Sequence, residues 1–166
     1  HANITLNLSA EQTGVLLSAA GVGNIIGVLI LRWFKSVNWV PLMSGLMFLS
    51  GIGVFIVFSL NQFYAVFFGI LIFDGALSMA FVIQSSVHQG ITPDEVLSRI
   101  RSATYVVGGI FTMLGTFLAG VLPEYSSTDT ALGLGASILL LTSIFIFKYK
   151  NIGVGMNKLK PIYMKN

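Results

Sequence analysis

Long apolar stretches alternate with short polar breaks along the whole chain. Runs of membrane-crossing length cover about residues 11–32, 37–60, 63–88, 100–122 and 128–147. About 20 helical residues cross a ~30 Å hydrocarbon core, so each run is long enough. Membrane strands are ~9–11 residues long and alternate in polarity, and these runs do neither. The pattern predicts an all-α membrane protein: a bundle of about five transmembrane helices over residues 1–147, then a basic cytoplasmic tail over 148–166.

The breaks carry helix signals. Ser9 precedes Gln12 by three residues, the spacing of a capping box ahead of the first run. Thr92, Pro93 and Glu95 fit N-cap, N1 and N3 of a fourth helix. Asn61 and Gln62 make a short turn. Pro123 is expected to end the fourth run, and Ser126 or Ser127 to cap the fifth.

Composition supports the membrane reading. Hydrophobic residues make up 55% of the chain and charged residues 9%, against about 25% charged in soluble domains. The net charge of +3 does not point to nucleic acid, because the basic residues are sorted by side. Arg32 and Lys35 follow the first run, and Arg99 and Arg101 follow the third. Lys148, Lys150, Lys158, Lys160 and Lys165 follow the fifth. The opposite connections hold Glu11, Asn61, Gln62, Glu124 and Asp129. The positive-inside rule then predicts a cytoplasmic C-terminus. Residue 1 is His and no signal peptide is recognisable, so the chain is expected to be part of a longer protein.

Chemistry-bearing residues are few. With no Cys, and with only His1 and His88, neither a thiolate nor a histidine metal cluster is expected. No nucleophile–base set, phosphate-cradling loop or cofactor box is visible, and no enzyme is expected. Small residues recur at four-residue spacing: Ala19, Gly23 and Gly27; Gly108 and Thr112; Gly115 and Ala119; Ala131 and Gly135. Such stripes let membrane helices approach closely.

Asp74 is the one acidic residue deep inside a run. A charge at bilayer depth costs about 2.5–3.5 kcal/mol on insertion scales, so it marks a proton or substrate path or is bonded to a neighbouring helix. Helical spacing puts Asp74, Ser78, Phe81, Ser85 and His88 on one face, with Phe67 above. Asp74, Ser78 and Ser85 are candidates for proton coupling or a cavity wall. Asn24, Phe67, Phe81 and Gln84 are candidate substrate contacts, although an Asn at mid-membrane also serves as helix glue. Glu95 and Arg99, at i and i+4, form either a surface ion pair or a cytoplasmic latch.

The order of these features resembles the C-terminal half of the major facilitator superfamily, most closely its bacterial drug, macrolide and siderophore exporter branch. The likeness covers nearly the whole chain. One stretch is Leu8 to Gly14 leading into Ala20, Gly21, Val22 and Gly23, similar to the family's eighth helix. The loop after that helix keeps Gly27, Arg32 and Lys35 of the family pattern, but has Leu31 and Phe34 where Asp and Gly stand in the family. The loop from Thr92 to Arg99 resembles the family's Pro-Asp-Glu-x-x-Gly-Arg loop, with Ser98 replacing Gly.

The resemblance implies half of a twelve-helix secondary transporter in a bacterial plasma membrane. Its partners would be the lipid bilayer, protons, a small-molecule substrate and an N-terminal half of the same protein. Arg32, Glu95 and Arg99 become cytoplasmic gate candidates. The implied activity is proton-coupled efflux of a hydrophobic or amphipathic compound. A nutrient importer of the same fold would show more polar groups at mid-membrane, and a non-transporting scaffold would not need Asp74.

Overall fold

A computed structural model describes residues 9–60 and 62–163. Leu8, Asn61 and Lys165, which enter the sequence reading, lie outside the described residues. Long helices dominate: α1 (Ala10–Leu31), α2 (Trp39–Ser59), α3 (Phe63–Ile91), α4 (Asp94–Tyr125) and α5 (Thr128–Phe147). All five are long and apolar enough to cross a membrane. The protein is therefore all-α with the make-up of a multi-pass membrane protein.

Local chemistry sets the ends. Ser9 and Gln12 form the expected capping box, with Ser9 Oγ accepting from Gln12 N at 3.2 Å. Ser127 caps α5 through Thr130 N. Two sequence expectations fail. Thr92 is not an N-cap: α3 runs on to Ile91, so Thr92 closes α3 and Pro93 stands at the N-cap of α4. Pro123 does not end α4, which completes its last turn to Tyr125. A proline there removes one helix hydrogen bond near an end whose remaining carbonyls would lack partners anyway.

The core forms where small residues let backbones meet. α3 is central, packed against α1 on one side and α2 on the other, and α5 lies against α2. At the α1–α3 crossing, a side chain at Gly23 would meet Leu71 O, and one at Gly27 would meet Gly75 O. Gly53 and Gly69 do the same for α2 and α3. Ala76, Met79, Ala80, Ile83 and Val87 of α3 fill the space below, with Leu31 and Leu46.

Hydroxyls add polar links inside the membrane layer. Ser44 Oγ donates to Ser143 O and Ser143 Oγ to Ser44 O, both at 2.9 Å and both buried. Ser50 Oγ reaches Phe73 O at 3.2 Å. Interhelical bonds of this kind contribute about 0.6 kcal/mol each.

The segment after α5 returns across one end of the bundle as a strap. Asn38 anchors it with its whole carboxamide. Its Oδ1 caps α2 at Val40 N, while its Nδ2 donates to Lys150 O and Gly153 O at 2.9 and 2.7 Å. Trp39 N donates to Val154 O, Asn157 N to Lys35 O, and Ile162 N to Ile91 O. Leu159 seats against Gly90. The strap thus gathers the α1–α2 connection, the end of α3 and the end of α5 at one level. Arg32, Lys35, Arg99, Arg101, Lys148, Lys150, Lys158 and Lys160 all lie at this strap end.

α4 stands apart. It touches α5 along a limited seam, and among its described residues none is buried. Its small residues Gly108, Gly115 and Gly120 have open space where a side chain would go.

Candidate functional site

Because α3 belongs to the core and α4 does not, the two diverge from their short Thr92–Pro93 connection. Between the strap-end half of α3 and the first half of α4 lies a cleft of about 550 Å³. That is within the ~300–1,000 Å³ range of ligand pockets. α3 contributes Phe81, Gln84, Ser85, His88 and Gln89. From α4 come Arg101, Thr104, Tyr105, Gly108, Gly109 and Thr112. Gly108 and Gly109 present bare backbone, which widens the space.

The lining is amphipathic. Phe81 and Tyr105 are mostly exposed on opposing walls. The Arg101 guanidinium lies over the Tyr105 ring at 5.8 Å, inside cation–π range. Thr104 and Thr112 donate to Ile100 O and Gly108 O of their own helix, which leaves their oxygens free to accept. Arg101 and His88 sit at the strap-end mouth, and no Asp or Glu lines the cleft. The geometry suits an apolar body with a polar head.

The sequence candidates divide by position. Phe81, Gln84 and Ser85 do line the cleft. Asp74 shares the face of Phe81 and Ser85 but stands seven residues higher, about 10 Å along the helix. It is half-buried, beyond the cleft rather than in it. Ser78 belongs to the helix crossing: its Oγ donates to Gly75 O at 3.0 Å, and it sits against Gly27. Forty degrees of helical rotation separate it from Asp74, enough to turn it towards α1.

Asn24 is exposed on α1 beside Gly23. The Gly23–Gly75 contact brings Asn24 and Asp74 to the same level of the bundle. Phe67 lies nearer the opposite end, edge-on to Phe68 at 5.7 Å. Among the described residues Glu95 and Arg99 form no ion pair; both are exposed at the start of α4. Arg32 is remote from them, in a second cavity beside α1.

The α4 wall was missed from sequence. Its signal was the spacing 101, 104, 105, 108 and 112, a polar helical stripe inside an apolar run. By sequence spacing alone Gly108 and Thr112 read as packing residues. No group of three or more His, Cys, Asp or Glu that could hold a metal occurs among the described residues. Comparison of the chain with protein-family models, curated proteins and solved structures gives no match.

Proposed function

We propose that this chain is the C-terminal half of a secondary transporter of the major facilitator type, exporting a hydrophobic or amphipathic small molecule against proton entry across a bacterial plasma membrane. The observation that carries the reading is the α3–α4 cleft, aromatic on both walls and polar at its mouth, with Asp74 higher on the same α3 face. A substrate can rest its apolar body on Phe81 and Tyr105 while Gln84, Ser85 and Arg101 meet its head. Asp74 is the group that takes up and releases the proton. Transporter sites lie near mid-membrane between two repeats. The uncovered face of α4 is where an opposing set of helices, from the N-terminal half of the same protein, closes the cleft.

Alternating access needs one part to move against another, and the fold divides suitably. α1, α2, α3 and α5 are bound together through crossings and strap, whereas α4 is held only along one seam. The work done is movement of substrate and proton, with no bond made or broken in the substrate.

In cells producing the complete transporter, accumulation of amphipathic dyes should fall severalfold and recover when a protonophore collapses the gradient. Filling the cleft by Gly109→Phe should restore accumulation while leaving the protein in the membrane. If no dye in a broad panel responds to the protein, the export reading is lost.

Orientation has its own test. With the strap end in the cytoplasm, a single Cys at Glu124 labels from outside intact cells and one at Lys158 does not. The reverse pattern would invert the transporter.

A further inference from the structure

A second cavity, about 370 Å³, opens beside the strap end of α1. Arg32 and Lys35, from the turn after α1, stand at its rim with Asn157 of the strap. Ser86 of α3 lines the cavity beside them, and its hydroxyl makes no hydrogen bond among the described residues. Val28 and Val82 form walls one helical turn further towards mid-membrane. Two cations and two uncharged polar side chains at the mouth, above an apolar groove, match a lipid rather than a dissolved ion. The phosphate of a headgroup meets Arg32 and Lys35, and an acyl chain follows Val28 and Val82. A free anion would use the mouth alone and leave the groove unexplained.

We infer that the groove between α1 and α3 is a binding site for one anionic phospholipid of the leaflet at the strap end, with its phosphate held by Arg32 and Lys35. Basic recesses between membrane helices on the positively charged side are suited to acidic headgroups. Asn157 N is bonded to Lys35 O at 3.1 Å, so the strap fixes the loop that carries both cations. A lipid bound here touches the α1–α2 connection, α3 and the strap together, and reinforces the part of the molecule that stays rigid. The site is separate from the α3–α4 cleft and does not depend on what that cleft carries.

Of the chain's two tryptophans, Trp33 stands between Arg32 and Lys35, with the Arg32 guanidinium 5.5 Å from its ring, and is 69% exposed. Quenching of its fluorescence by brominated lipids, with Trp39→Phe removing the second signal, therefore reports occupancy. In nanodiscs of phosphatidylcholine, brominated phosphatidylglycerol should quench with at least about threefold the relative affinity of brominated phosphatidylcholine. Replacing both cations, Arg32→Gln with Lys35→Gln, should bring the two lipids level. Removing the same charge elsewhere on the strap end, Lys148→Gln with Lys158→Gln, should leave the preference in place. Both pairs are exposed, and circular dichroism checks that the helices persist. Equal quenching by the two lipids in the parent protein overturns the proposal. So does a preference that survives loss of Arg32 and Lys35, or one lost equally in the Lys148 and Lys158 control. Relief of quenching by millimolar inorganic phosphate would mark a general anion site and overturn the lipid assignment.

Discussion

Replacing Gly27 by valine should separate α1 from α3 and remove most of the folded protein from the membrane. The position leaves no room: a Cβ there would run into Gly75 O, with Gly75 C at 3.0 Å and Ser78 Oγ at 3.1 Å. The obstacle is backbone, pinned by the hydrogen bonds of α3, so it cannot swing aside as a side-chain tip would. Overpacking typically costs about 1–3 kcal/mol where side chains can adjust, and the upper end or more is expected here. Loss of the α1–α3 contact also uncovers Leu71 and Gly75. Unfolding in mixed micelles, followed by circular dichroism, should show a lower midpoint of stability for Gly27→Val.

Gly115→Val is the matched control. Nothing lies within 4 Å of a Cβ at Gly115, so the chain by itself should tolerate it within about 0.5 kcal/mol. A Gly27→Val protein as stable as its parent would overturn the backbone-on-backbone contact at the α1–α3 crossing. The control carries information of its own. On the proposed reading, a Gly115→Val change that is silent in this chain yet harmful to export would make the stripe on α4 a contact surface for other helices.

The second large effect is expected at Asp74. Asparagine keeps the shape and the capacity to hydrogen-bond but cannot carry a proton. If the chain works in proton-coupled export as proposed, Asp74→Asn should abolish uphill export driven by a pH gradient, a loss of at least about tenfold. Downhill exchange of substrate across the membrane should continue, because it requires the cleft and not the proton. Proteoliposomes loaded with dye, with and without an imposed pH gradient, separate the two modes. Failure of the variant to fold would make Asp74 a packing residue bonded to a neighbour. Undiminished uphill export would remove it from coupling altogether.

The helices were legible because apolar run length is a direct consequence of hydrocarbon thickness. The fifth run, 128–147, coincides with α5, and the second and third agree with α2 and α3 to within three residues. The fourth apolar run begins at residue 100, six residues inside α4, whereas the Thr92–Pro93 signal sets the helix start to within one residue of Asp94. Asp94, Glu95, Arg99 and Arg101 break the apolar pattern, yet a helix can continue beyond the hydrocarbon and carry its charges there. At Thr92 a local capping signal lost to a longer α3, which took that residue for its own end.

The cleft was half legible. Its α3 wall followed from the spacing of Phe81, Gln84 and Ser85 on one helix. The α4 wall depended on which neighbour that helix would face, and spacing along one helix does not specify a partner. Asn38 was passed over for a related reason. Its two strap bonds join it to residues 112 and 115 positions away, a separation that no local pattern encodes.

That separation has a bearing on the order of biosynthesis. Ribosomes make the strap after α1 to α5. Until residues 150–162 emerge, the amide of Asn38, the carbonyl of Lys35 and the face of Gly90 lack the partners they meet in the finished protein. The crossings of α1, α2 and α3 are complete well before then. Maturation therefore has two stages: an early association of helices within the bilayer, and a later closure at its surface that waits for the strap to be made.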